Sequence, residues 1–185
     1  MESIIQADLF RYSGLTGIKG LLKGFKYPGF LYTYVLRKAA KHPKSTLPGV
    51  FWRLLLRRYQ YKYGFQIHPA TEIGAGLYIG HFGTVVINEK VRIGRNCNIA
   101  HTVTIGQVNN GKLKGYPVIG DRVWIGAGAV IVGNIHIGSD VFIAPNTFVN
   151  FDVPDHSLVI GNPGQIHHKE HPTEGNIVYV LEDVA

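Results

Sequence analysis

Nine histidines and one cysteine are the side chains of this 185-residue chain best suited to move protons or form covalent bonds near neutral pH. His81 stands in Ile79-Gly80-His81-Phe82-Gly83, and His101 stands in Asn98-Ile99-Ala100-His101-Thr102-Val103. A neutral imidazole at either place suits taking a proton from a hydroxyl. Cys97 offers a nucleophilic sulfur. His167, His168 and His171 crowd around Lys169 and Glu170. Three neighbouring histidines can hold a metal, but nothing in their spacing fixes a geometry, so a solvated tail and no metal are expected.

The elements that must position these groups show in a repeat. From Ile119 an aliphatic recurs at every sixth place, through Ile125, Ile131, Ile137 and Ile143 to Val149. Small residues follow it: Gly120, Gly126, Gly138 and Ala144. The same period runs upstream through Ile87, Ile93, Ile99 and Ile105, and a third block, Ile67, Ile73 and Ile79, is offset by two. A six-residue period fits neither a 3.6-residue helix nor a two-sided sheet. It fits a triangular solenoid in which each hexapeptide gives one short strand and one corner. About 18 residues then close a coil, and successive coils pair as parallel strands. Cys97 falls in the compact inward slot shared by Val91 and Val103, so it reads as core, and a covalent intermediate is not expected. His101 falls two residues after an inward aliphatic and should face outward.

Two breaks interrupt the register. The spacing is eight across Gly80-His81-Phe82-Gly83, and eight extra residues enter between Ile105 and Ile119. The polar, glycine-rich stretch from Gln107 to Pro117 should be a loop thrown out from a corner, a favoured place for a site. Residues 1–65 carry a formal charge of +10 against −3 for the rest, which points to two parts with different roles. The first reads as helices over Ser3–Tyr12, Leu15–Phe25, Phe30–Lys41 and Val50–Tyr63, divided by glycine, Pro28 and Pro48. The amphipathic, basic and aromatic stretch from Val50 to Tyr59 is expected to pack on the first coil or on a partner subunit, and membrane contact is not expected. The organisation is therefore a helical N-terminal region over 1–65, a β-helix over 66–165 and a tail over 166–185. No apolar run approaches the roughly 18 residues of a spanning helix. The first residues lack the design of a secretory signal, and a cytoplasmic protein is expected.

The chain resembles the serine acetyltransferase family and its relatives in polysaccharide O-acetylation. The resemblance rests on a short helical part followed by Ile67-His68-Pro69-Ala70, Ile79-Gly80-His81, Val103-Thr104-Ile105-Gly106, Ile125-Gly126-Ala127-Gly128-Ala129 and Gly161-Asn162-Pro163. Hexapeptides alone specify only the superfamily; the Ile-His-Pro-Ala motif with a histidine fourteen residues beyond Ile67 is more specific. The resemblance implies a left-handed coil and a homotrimer with sites between subunits. It also implies acetyl-CoA as co-substrate, a small-molecule hydroxyl acceptor and direct transfer. By the same resemblance His81 matches the general base, with His101 as rival or companion. Gln107 and Ala127 match places where backbone amides touch the cofactor arm, and Ala144, Pro145, Gly161, Asn162 and Pro163 lie further along that groove.

Several family positions differ. Gln66 stands where a carboxylate orients the histidine, and Gly80 replaces the preceding aspartate. Gly115-Tyr116 replaces an arginine–histidine pair ahead of Pro117. Lys112 or Lys114 could substitute for that arginine, and Asp8 could meet an amine. The expected acceptor is L-serine, with a sugar hydroxyl of polysaccharide assembly as the alternative, favoured by His101 and the missing arginine. A metal-dependent or non-catalytic trimer like the γ-class carbonic anhydrases ranks third, because no second histidine accompanies His81 or His101 at ligand spacing. No nucleic-acid module is present. The family's sulfhydrylase partner binds a C-terminal isoleucine, whereas this chain ends Glu182-Asp183-Val184-Ala185, so that partnership is not expected.

Overall fold

A computed structural model describes residues 2–181; Glu182 to Ala185, and with them the expectation about the sulfhydrylase, lie outside the described residues. Four helices come first: α1 Ser3–Phe10, α2 Gly17–Gly24, α3 Pro28–Lys41 and α4 Leu47–Tyr63. Their bounds differ from the sequence pattern for local reasons. Ser13 and Gly14 are left-handed, which stops α1 short of Tyr12. Pro28 and Pro48 lie in first turns, where the missing N–H has no intrahelical partner to lose, so they begin α3 and α4 instead of separating them. Thr46 Oγ1 accepts from Gly49 N at 3.2 Å and caps α4. Gly64, left-handed at φ 80°, ends it.

Fifteen short strands follow among the described residues, from β1 Phe65–Ile67 to β15 Gln165–His168. From β1 to β13, successive strands take successive sides of a left-handed three-sided prism of about 5 turns. Face A stacks β1, β4 (Val85–Ile87), β7 (Val103–Gly106), β10 (Val130–Val132) and β13 (Phe148–Val149). Face B stacks β2 (Glu72–Ile73), β5 (Arg92–Ile93), β8 (Val118–Ile119) and β11 (His136–Ile137). Face C stacks β3 (Tyr78–Ile79), β6 (Asn98–Ile99), β9 (Val123–Ile125), β12 (Val141–Ile143) and β14 (Ser157–Ile160). The pairing keeps the periodic aliphatics in line: Ile67, Ile87, Ile105, Ile131 and Val149 stand above one another on face A. Because strand side chains alternate, these fill the axis while Gln66, Val86, Thr104, Val130 and Phe148 face outward. Cys97 is buried among them, and burial pushes its thiol up to about 12, which leaves it a neutral core side chain.

The last strand, β15, runs antiparallel beside β14. It continues to His168, so His167 and His168 alternate on a strand and point to opposite sides. Among the described residues no three His, Cys, Asp or Glu side chains converge as a metal set.

The helices close the first coil. Tyr32, Val35, Leu36, Ala39 and Leu56 join the prism's core, and the Tyr32 hydroxyl meets the backbone of Phe65 and Ile67. The reading of Asp8 as a substrate anion is corrected here. It is 1% exposed, paired with Arg37 at 2.9 Å, and accepts from the amides of Gly76 and Leu77. A carboxylate buried under two amides and a guanidinium is a joint between cap and prism. Arg11 forms a second joint, donating to Gly76 O, to Asn98 Oδ1 and to Val178 O of the returning tail. No helix is long and apolar enough to cross a membrane among the described residues.

Candidate active site

The extra residues around His81 and the regular turn around His101 occupy the same corner, between faces C and A. The rings stand edge-to-face, 6.0 Å apart at 89°. Gly83 makes this possible. Its φ is +139°, and a Cβ there would lie 3.1 Å from His101 Cβ. Its amide donates to Tyr63 O at 2.9 Å, which ties the bulge to the end of α4. Below, Gly128 N donates to His101 O at 3.1 Å. Both histidines are exposed, and among the described residues neither imidazole hydrogen-bonds another side chain. They are fixed by backbone, with solvent access for a substrate.

The same corner repeats below them. Ala100, Gly126, Ala144 and Gly161 each follow an inward strand, and Thr102, Gly128 and Asn146 are left-handed at successive corners. Stacking requires small residues. A Cβ on Gly126 would fall 2.5 Å from Pro145 N, and one on Gly128 would fall 2.2 Å from Asn146 Oδ1. Thus Ala127, Ala144, Pro145, Gly161, Asn162 and Pro163 lie on one edge with His81 and His101. With strands about 4.8 Å apart, four steps from the His81 corner give a strip of about 20 Å. It presents a shallow surface of small residues.

Five other positions named from sequence lie elsewhere. Gln107 follows β7, at the opposite border of face A from His101; six extended residues separate them by about 20 Å. There its side chain meets Asn88 and Asn109. The loop folds as a small hairpin, with Val108 and Gly115 exchanging backbone bonds at 3.1 and 3.0 Å, and Lys112 is exposed near its tip. Lys114 and Tyr116 line a groove of about 680 Å³ on face B. Gln66 lines a different groove with Gln60, Tyr61, His68 and Val86, and no hydrogen bond joins it to His81 among the described residues. One chain therefore brings together the two histidines and the strip, and leaves the loop residues a face away.

The sequence reading passed over Lys90, whose Nζ stands 5.3 Å from the Tyr116 ring centre. The signal was present in the register: Arg92 pairs with Val118, so counting back two places sets Lys90 beside Tyr116. Gly115 also gains a physical reason. Its φ is +142°, and a Cβ would sit 2.8 Å from Asn134 Cβ of the next coil. Arginine cannot be restored there without moving the loop. Gly115→Arg is expected to destabilise the fold by about 1–3 kcal/mol from the backbone conformation alone, and to lower the melting temperature without improving use of a carboxylate-bearing acceptor. An unchanged melt would contradict this.

A parallel prism of hexapeptide coils with a histidine-bearing corner defines the class of hexapeptide-repeat transferases, and the family model described as "Bacterial transferase hexapeptide (six repeats)" matches residues 116–150. The curated serine acetyltransferase of Staphylococcus xylosus is 43% identical over 117 residues, covering 63% of this chain and 54% of that protein. A soybean serine acetyltransferase solved with serine superposes with a TM-score of 0.75 at 32% identity, covering 89% of this chain and 68% of that one. The Brucella abortus serine acetyltransferase solved with coenzyme A gives 0.75 at 29% identity, covering 90% and 67%. The chain belongs to the serine acetyltransferase family. It spans about half the length of the curated relatives it matches.

Proposed function

We propose that the chain is a cytoplasmic, acetyl-CoA-dependent O-acetyltransferase acting on L-serine, with His81 as general base and its site formed between subunits of a homotrimer. The observation that carries this reading is the His81–His101 pair at the head of the small-residue strip. It is supported by family relatives solved with serine and with coenzyme A.

The neutral His81 ring takes the acceptor's hydroxyl proton as that oxygen attacks the thioester carbonyl. Backbone N–H groups at the corner stabilise the oxyanion, and the Ala127 amide, by resemblance, touches the cofactor arm. When the tetrahedral intermediate collapses, the C–S bond breaks and the His81 imidazolium returns the proton to the departing sulfur, giving the acetyl ester and free CoA. His101 lines the acceptor side. The separation of Gln107, Lys112, Lys114 and Tyr116 from the histidines within one chain favours assembly. A neighbouring copy presenting its loop border to this corner supplies those residues to one site.

A second reading, acetylation of a sugar hydroxyl, is favoured by Gly115-Tyr116 and by Gln66, because neither provides the fixed charge that an amino-acid acceptor would meet. One experiment separates the two. Purified chain with acetyl-CoA is expected to release CoA when L-serine is added, read by a thiol reagent under native conditions to which buried Cys97 contributes little. No release with L-serine, alongside release with nucleotide sugars or oligosaccharides, would replace serine by a sugar. No release with any acceptor would remove the transferase reading.

A further inference from the structure

Helix α4 is apolar on both sides, and only one side is used. Trp52, Leu55, Leu56 and Tyr59 turn toward the prism and pack on its core. The opposite row, Leu47, Val50, Phe51, Leu54 and Tyr61, follows the i, i+3, i+4, i+7 spacing of one helical face and is open to solvent. Leu47 is 88% exposed, Phe51 58% and Leu54 63%. Scattered exposed aliphatics need no explanation, but a full row along a 17-residue helix does.

The charges around the row indicate its occupant. Arg57, Arg58 and Lys62 flank it and are exposed. Nearby α2 repeats the design, with Ile18 80% and Leu22 64% exposed among Lys19, Lys23 and the following Lys26. Helix α3 stands between them, linked by ring contacts of Tyr34 with Phe25 at the end of α2 and with Trp52 of α4. Among the described residues of this N-terminal part, no free carboxylate offsets these cations. Of the two acids in residues 1–65, Glu2 is bonded to Lys38 and Lys41, and Asp8 is buried against Arg37. A second copy would bring like charges together. Nucleic acid would use the cations but leave the aliphatic row without a partner. A surface that is anionic at its headgroups and apolar just beneath satisfies both features.

We propose that the outer face of α4, assisted by α2, docks the protein on an anionic phospholipid bilayer, with Phe51 and Leu54 entering the headgroup–acyl boundary and Arg57 and Arg58 held at the phosphates. This departs from the expectation drawn from the sequence pattern, which could not separate the face used on the first coil from the face left bare. It stands apart from the acceptor's identity, since it uses no residue of the histidine corner.

The test is co-sedimentation of the full chain with vesicles of phosphatidylcholine alone, or of phosphatidylcholine with a minority of phosphatidylglycerol. Binding is expected only with phosphatidylglycerol, and it should weaken as salt is raised. Arg57→Gln with Arg58→Gln should reduce partitioning by about 25-fold, taking about fivefold per basic residue near the surface. Phe51→Asp with Leu54→Asp should abolish it. Both pairs alter exposed side chains, so an unchanged melting temperature and unchanged CoA release with a soluble acceptor should accompany the loss. Absence of binding to phosphatidylglycerol vesicles would overturn the proposal, as would binding that both double variants retain. A drop in solution mass on replacing Phe51 and Leu54 would also overturn it, by assigning the face to a second copy.

Discussion

His81→Ala is expected to lower the rate of acetyl transfer by about two to four orders of magnitude while leaving the fold intact. The range follows from what the imidazole supplies. Without it, the acceptor hydroxyl must lose its proton to water as it attacks, while the backbone donors of the corner and the binding strip continue to act. The fold should be indifferent because His81 is exposed and its bulge is held by main chain, through Gly83 N to Tyr63 O. Steady-state release of CoA measures the first effect and a thermal melt the second. The loss should fall mainly in kcat, since a group that acts in the transition state contributes little to ground-state affinity. His101→Ala provides the contrast. Its ring stands 6.0 Å from that of His81, close enough to line the same acceptor and too far for a hydrogen bond between ring atoms along that line of centres. It should raise KM more than it lowers kcat. If His81→Ala keeps full activity and His101→Ala loses it, the roles exchange.

Most of this corner was legible before any coordinates, because the repeat is a ruler. A six-residue period sends each aliphatic to the axis, so every departure from it marks where chain leaves the prism. The two-residue excess at Gly80 to Gly83 and the eight-residue excess before Ile119 are the two places where the structure raises a bulge and a hairpin. Ala127, Ala144, Pro145 and Gly161 fell on one edge because a register that stacks Ile99, Ile125, Ile143 and Val159 must also stack the residues after them. What the period could not supply was anything lateral. It assigns no partner to Lys90, although the pairing it implies does. It does not say that Asp8, 68 residues before the first corner amide it meets, is enclosed by Arg37 and two amides, since that depends on how four helices fold across a coil end. Nor does it distinguish the two apolar sides of α4. Helical periodicity shows that a face exists and leaves open how many faces find a neighbour.

The same ruler makes the axis the most sensitive part of the molecule to volume. Ile125→Ala is expected to cost about 2–5 kcal/mol, toward the upper end, and to lower the melting temperature by about 5–20 °C at fixed protein concentration. Ile125 is fully buried and stands between Ile99 and Ile143. Removing three carbons leaves a space that the surroundings can fill only by shortening the coil spacing, and that spacing is pinned above by Ala100 N to Ile125 O at 3.0 Å and below by Gly126 N to Ile143 O at 2.8 Å. A helical core can slide to close such a gap, whereas a ladder bonded on both sides cannot. Ile125→Val, which removes one carbon, should cost about 0.5–1.5 kcal/mol and calibrates the series. The variant also tests whether axis and corner are mechanically joined. Ala100 precedes His101, and Gly126 precedes Ala127, so coils loosened at Ile125 should widen the corner that holds His101 and reduce turnover at temperatures where the protein is still folded. A melt lowered as expected with turnover unchanged would show the corner to be held by its own stacked glycines. A melt left unchanged would mean that the coils can close on one another after all, and that the aliphatic row sets register without setting stability.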